Sequence, residues 1–141
     1  MPEVCINYSK GVEFRAVARG HELICDQPPE NGGVDGGMTP PELLLASIGT
    51  CAGFYAVQYL KTRSLEVDGL SVKVTAEKST TRPVRLEKFR ISVDAPFVSE
   101  DHLVGLHRAV EACLIHKTLA APSEMSIEIS TSPVVAHVGC L

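Results

Sequence analysis

The sequence lacks the features that mark several common function classes. Its thirteen Lys and Arg are outnumbered by seventeen Asp and Glu, a formal charge of -4, whereas a nucleic-acid binder ordinarily carries a basic surplus. The opening MPEVCINYSKGVEF holds no apolar run ending in a small-residue cleavage site, so no secretory signal is read there and a cytoplasmic location is expected. No Cys-x-x-Cys occurs, which leaves a thioredoxin-type motif and a zinc ribbon without support. Both Gly-x-Gly-x-x-Gly and a glycine-rich loop ending in Lys-Ser/Thr are missing, so the phosphate-cradling motifs are absent. No internal repeat interrupts the chain.

Beyond these absences, the composition is that of an ordinary globular protein, 45% apolar and 21% charged over 141 residues. A chain of that length buries a sizeable core without a disulfide or metal staple, and a single domain over 1–141 is expected. Five cysteines, Cys5, Cys25, Cys51, Cys113 and Cys140, make an odd number without framework spacing. At least one is therefore free or paired between chains, and a reducing cytoplasm would keep most of them as thiols.

Hydrophobic spacing outlines the elements. Val12, Phe14, Ala16 and Ala18 alternate with Glu13 and Arg15 as in a half-buried strand. Arg19-Gly20-His21 reads as a tight turn, Glu22 to Asp26 as the returning arm, and Cys5 to Tyr8 as a third antiparallel neighbour. Gln27 to Met38, with two Pro and four Gly, is expected to be a mobile cover over the neighbouring helix. Thr39, Pro40 and Glu42 then form a helix start with a capping box, predicting a helix from Pro40 to about Lys61. Leu43 to Leu60 is eighteen residues without a charge, which touches the length of a membrane span. The polar and small residues Ser47, Gly49, Thr50, Gly53 and Gln58 favour instead a core helix surrounded by protein on nearly every side.

Alternation at 70–76 and 89–93 predicts two strands joined by a loop at 79–83. Ser99, with Glu100 and Asp101 behind it, offers an N-cap for a second helix running to about Thr118. Leu103, Leu106, Val110 and Cys113 fall on one face of that helix, so Cys113 should point inward. Met125 to Ile129 and Pro133 to Val138 would supply closing strands. The result is an α+β domain with antiparallel sheet.

Cys51 lies in the middle of the first helix between small residues, Gly49-Thr50-Cys51-Ala52-Gly53. A buried Cys often does no more than pack as a small hydrophobe. A second Cys, Cys113, central to the apolar face of the other helix, makes a dithiol assembled by the fold a second reading. With His116 the two would give three zinc ligands but no fourth. His102 and His107 read as helix-surface residues, Cys140 as an exposed thiol, and Cys5 and Cys25 as strand packing.

These segments carry a resemblance. Thr-Pro-Pro-Glu-Leu-Leu-Leu-Ala-Ser-Ile-Gly-Thr-Cys at 39–51 and Glu-Ala-Cys-Leu-Ile-His-Lys-Thr-Leu at 111–119 resemble the paired motifs of the OsmC/Ohr family of thiol-dependent hydroperoxide reductases. The resemblance implies an OsmC-like fold with two central helices, in the order β-β-β-α-β-β-α-β, assembled as an intertwined homodimer. It implies Cys51 as the peroxidatic thiolate, Cys113 as the resolving thiol and an external dithiol as reductant, with an organic hydroperoxide as substrate and no cofactor, metal, nucleic acid or membrane. Only a thiolate is a useful nucleophile, and an apolar helix by itself disfavours one. The family meets this with an Arg and a Glu, for which the matches are Arg19 and Glu42, with Arg15 in reserve. Glu42 precedes Cys51 by nine residues where the family pattern has ten, and Leu114 stands where Pro is common. Both departures resemble the OsmC-like branch more than the hydroperoxide reductases proper. A non-catalytic redox-responsive or small-molecule-binding protein is the alternative reading.

Overall fold

The computed structural model describes residues 3–121 and 123–131. They divide into two compact units, one of Met1–Leu43 with Ser126–Leu141 and one of Leu44–Met125. Each is considered by itself.

In the first unit β1 (Cys5–Lys10), β2 (Glu13–Ala18) and β3 (His21–Cys25) form an antiparallel meander. Tyr8 pairs with Phe14, and Ile6 and Leu23 both pair with Ala16, so the period-two alternation places these side chains on one face. Val17, on the other face, is buried. The β2–β3 turn runs through Arg19 at φ 52° and Gly20 at φ 77°, two left-handed residues in succession, the geometry that matches the twist of a hairpin. Cys5, expected to be a packing thiol, is disulfide-bonded.

The segment 27–38 is not the mobile cover its composition suggests. Asp26 is almost wholly buried, and its carboxylate accepts the backbone N–H groups of Val34 at 3.0 Å and Gly36 at 2.9 Å. A short 3-10 turn at Pro29–Asn31 and a bridge from Cys25 to Met38 fix its two ends. The glycines allow close packing rather than motion: a Cβ at Gly33 would collide with the Gln27 carbonyl oxygen, and one at Gly37 with that of Ile24. Composition reports that the segment cannot be regular, but a single buried acceptor decides whether it is loose.

Helix α1 (Pro40–Lys61) has the bounds its capping residues predict. Glu42 Oε2 accepts both the backbone N–H and the hydroxyl of Thr39, each at 2.8 Å, the carboxylate half of a capping box. From Leu44 onward the helix belongs to the second unit, with β4 (Ser71–Lys78) and β5 (Leu86–Asp94), an antiparallel pair. Ile48, Ala52, Ala56 and Leu60, spaced four apart, are its buried stripe. Gly49 and Gly53 bring the helix down onto the sheet, where their missing Cβ atoms would lie 3.1 Å from Val74 and 3.6 Å from Val72. The expectation of protein on nearly every side is corrected, because Ser47, Thr50, Phe54, Gln58 and Lys61 form an exposed stripe. A charge-free run does not by itself mean that a helix is covered on every side, because small and polar residues tolerate exposure.

Two further expectations change. The single helix to Thr118 is two, α2 (Leu103–Glu111) and α3 (Leu114–Ala120), and Ser99 precedes a 3-10 turn at Glu100–His102 without a side-chain cap bond. Residues 125–129 carry the strand alternation but form no strand among the described residues, and 133–138 lies outside them. The fold class stands as α+β with antiparallel sheets and helices.

The Asp26 carboxyl is held below its ordinary value of 3.8, chiefly by the N–H of Gly36, then of Val34 and of Gln27. A depressed carboxylate contributes stability that is complete above its unfolded value and lost as pH falls through the lower folded one. Amide exchange at Val34 and Gly36, taken relative to the intrinsic rate at each pH, is therefore expected to stay slow down to about pH 4 and to accelerate below it. In Asp26→Ala it should be fast at neutral pH as well. Unchanged protection in that variant would show that the loop is held by something else.

Candidate functional site: a dithiol at a helix break

Helix α2 ends by tightening. The N–H of Ala112 is shared between the carbonyls of Arg108 and Ala109, each at 3.2 Å, and the N–H of Cys113 reaches Val110 at 3.1 Å, the short-range bonds that close a last turn. Cys113 then leaves helical geometry at φ -53°, ψ 129°, and its carbonyl accepts the N–H of Lys117 at 3.0 Å to start α3. Cys113 is thus a helix-capping residue rather than a member of a continuous helical face. Its predicted inward direction holds, since it is fully buried, and Leu106 on the same stripe is largely buried.

The sulfur of Cys113 meets that of Cys51, a half-buried residue beside the fully buried Ala52 on α1. Burial pushes the Cys113 thiol above its ordinary 9.0, and the neighbouring Cys51 thiol raises it further. The N–H groups of His116 and Ile115 pull the other way, and the charge interaction with Cys51 adds a last upward push. Burial and the neighbouring Cys51 thus favour the protonated form of Cys113. Both thiols are free in this structure, so the arrangement is a reduced pair of neighbouring thiols.

The other expected site residues belong to the first unit. Arg19 is an exposed turn residue. Glu42, also exposed, has its carboxyl lowered first by the N–H of Thr39 and then by the Thr39 hydroxyl. Arg15 lies 3.5 Å from Glu22 on the open strand surface, a pairing of little energetic consequence. Among the described residues no group of three or more His, Cys, Asp or Glu is placed to hold a metal ion.

A cavity of about 590 Å³ opens in the second unit, with walls from Ile48 of α1, Phe89 and Ile91 of β5, and Leu106 and Val110 of α2. The exposed pair His107 and Glu111, 3.6 Å apart, also faces it, as does His116 of α3. His116 Nδ1 is buried and has no hydrogen-bond partner among the described residues. Sequence reasoning weighed His116 only as a third metal ligand. Its place three residues after Cys113 was the available signal, since a residue at that spacing directs its backbone N–H back toward the cap.

The comparisons with known proteins fit this frame. A family model described as OsmC-like protein matches residues 32–128, which takes in α1, both strands of the second sheet and both cysteines of the pair. The chain belongs to the OsmC-like protein family. No curated protein matches the sequence. Among solved structures, this OsmC-like chain is similar to an OsmC-like protein from Mycoplasma pneumoniae, with a TM-score of 0.71 at 17% identity over 85% of this chain and 87% of that one. A hypothetical protein from Aquifex aeolicus VF5 gives a TM-score of 0.69 at 25% identity, over 85% and 87%. The organic hydroperoxide resistance protein OhrB of Bacillus subtilis gives 0.59 at 17%, over 84% and 89%. At such identities the likeness is one of fold.

A thiol raised in the folded state stabilises the fold fully below its unfolded value, and that contribution is lost as pH rises through the raised one. Unfolding free energy measured in urea is thus expected to fall more steeply from about pH 9 upward in the reduced wild type than in Cys113→Ala. In Cys51→Ala, which removes two of the upward pushes, thiolate absorbance should show Cys113 titrating at lower pH than in the wild type. An unchanged midpoint would mean that the sulfurs do not interact.

Proposed function

We propose that this OsmC-like protein is a thiol-dependent peroxidase that reduces organic hydroperoxides, with Cys51 as the attacking and Cys113 as the resolving thiol. The observation that supports the reading is the placement of both thiols in the second unit, near enough for Cys51 to raise the Cys113 thiol. The name of the OhrB neighbour, an organic hydroperoxide resistance protein, supports the substrate class.

In the first step the Cys51 thiolate attacks the terminal oxygen of the hydroperoxide. An S–O bond forms, the O–O bond breaks, and the alkoxide leaves as alcohol after taking a proton. Cys51 is then a sulfenic acid. In the second step the Cys113 thiolate attacks that sulfur, the S–S bond forms, and hydroxide leaves as water. The two thiols have supplied two electrons, and an external dithiol restores them by exchange.

The pair also sets the order of events. While Cys51 is the attacking thiolate, its negative charge and the burial of Cys113 both hold the proton on Cys113. A neutral sulfenic acid removes the charge, and the N–H groups of His116 and Ile115 then favour the Cys113 thiolate when it is needed. We assign Arg19 the cation that stabilises the Cys51 thiolate, and Glu42 the acid that orients it, on the strength of the family resemblance. Arg19→Ala should slow peroxide reduction by on the order of 100-fold, the usual cost of losing one charged stabiliser.

The functional unit is one domain spanning 1–141 and working as a cytoplasmic homodimer. Two features of the chain support the dimer: the exposed α1 stripe containing Phe54, and the alternating residues Met125, Ile127 and Ile129, which are 88%, 81% and 90% exposed. Sedimentation should give about twice the 15.1 kDa chain mass, and a monomeric mass at micromolar concentration would contradict the assembly.

The test of the chemistry is one equivalent of cumene hydroperoxide added to reduced protein, followed by peptide mapping. A Cys51–Cys113 disulfide should form rapidly, vanish in Cys51→Ser, and give way in Cys113→Ser to a sulfenic acid trapped by dimedone. Unreacted thiols in the wild type would leave the second reading, a small-molecule-binding protein, which the cavity beside His116 favours.

A further inference from the structure

Two places fasten α2 to α1. At one, Cys113, just past the end of α2, neighbours Cys51 of α1. At the other, the Tyr59 ring of α1 lies so close to Gly105 of α2 that a Cβ there would collide with the hydroxyl oxygen. Cys51 and Tyr59 are eight residues apart on α1, and Gly105 and Cys113 are eight apart along α2 and its closing turn, in the opposite direction. Eight helical residues rise about 12 Å, so the two fastening points match in spacing and α2 runs antiparallel to α1.

The second point holds a cluster that the peroxidase reading leaves without a role. The Tyr59 hydroxyl shares a 3.4 Å hydrogen bond with Nδ1 of His102, the residue before α2, and the two rings stand edge to face at 72°. The Arg63 guanidinium covers the Tyr59 ring at 3.9 Å from its centroid and donates to the Tyr59 carbonyl and the Thr62 hydroxyl. The sequence reads His102 as a surface residue, whereas the structure leaves it half-buried with its ring against Tyr59. The Tyr59 ring is thus pinned on a face and at its hydroxyl, and Gly105 gives it room against the α2 backbone.

We infer that Tyr59 and His102 are positioning residues for the disulfide-forming step: by fastening the start of α2 to α1, they hold Cys113 at the far end of that helix where its sulfur can close on Cys51. The inference rests on the peroxidase reading for the order of steps. In this step the Cys113 thiolate attacks the sulfur of the Cys51 sulfenic acid, the S–S bond forms, the S–O bond breaks, and hydroxide leaves as water. Closing a disulfide demands a specific placement of both cysteines, whereas the peroxide of the first step diffuses to Cys51 by itself. A loosened α2 should therefore slow the second step and spare the first.

The experiment adds one equivalent of cumene hydroperoxide to reduced full-length protein, times the Cys51 sulfenic acid by dimedone trapping, and times the Cys51–Cys113 disulfide by peptide mapping. Tyr59→Phe, which keeps the ring and removes the hydroxyl, and His102→Leu should each lengthen the life of the sulfenic acid about 10-fold, the value of one hydrogen bond. Its rate of formation should not change. His102→Asn, which puts a polar atom in the place of Nδ1, should restore the wild-type lifetime, and Tyr59→Phe combined with His102→Leu should be no slower than either alone. In glutathione buffers without peroxide, the [GSH]²/[GSSG] at which the disulfide is half formed should fall about 10-fold in Tyr59→Phe. A wild-type lifetime or an unchanged glutathione midpoint in Tyr59→Phe, equal slowing of both steps, or a His102→Asn as slow as His102→Leu would each overturn the inference. Should His102→Leu not fold, Tyr59→Phe decides alone. A glutathione shift in a protein that forms no sulfenic acid with peroxide contradicts the peroxidase reading only; a peroxide-driven disulfide that forms at the wild-type rate in the variants contradicts this inference only.

Discussion

The contact between two sulfurs, one on a long apolar helix and one at the break between two short helices, is the constraint around which the second unit is built. For Cys113 to reach Cys51 while fully buried, the chain has to leave helical geometry at one residue and resume it at the next. The short-range bonds at Ala112 and Cys113 do this, and the amides of Ile115 and His116 become available to the sulfur as a result. Burial and the neighbouring sulfur both favour a protonated Cys113, whereas the amides favour its thiolate. A balance of that kind can be tipped by a change of charge on Cys51.

Small residues make room for the contact. Gly49 and Gly53 let α1 approach Val74 and Val72 closely, and Ala52 and Ala56 continue the buried stripe, so the helix around Cys51 is narrow on the side that meets the sheet. Close packing of a helix on a sheet leaves little room for adjustment. Gly105 plays the same part between α2 and α1, because a Cβ there would run into the Tyr59 ring. The cavity beside His116 is bounded by α1, β5, α2 and α3 of the same unit.

Much of this was legible in the sequence, and the reasons are local. Thr39, Pro40 and Glu42 located the start of α1 because capping is decided within four residues, and the alternation in both sheets survived because one face of each strand pair is apolar. The inward direction of Cys113 followed from its stripe. The break at Cys113 did not, because no Pro or Gly marks it and the helical spacing continues through it. The order in 27–38 was hidden because Asp26 supplies it from outside the glycine-rich stretch, through bonds to Val34 and Gly36 that span eight and ten residues. His116 was legible as a residue at a suggestive spacing. That its ring lines a cavity while its amide serves a sulfur depends on the break, which only the folded chain reveals.

The most direct test of the account is a thiol–disulfide titration of the protein against glutathione redox buffers, read by mass mapping of every cysteine-containing peptide. Two sulfurs in contact should pass together from dithiol to a Cys51–Cys113 disulfide in one two-electron step, with Cys25 still reduced and little glutathione captured at Cys51. Accumulation of glutathione on Cys51 with Cys113 still free, over the same range of potentials, would contradict the claim that the fold holds these thiols as a working pair.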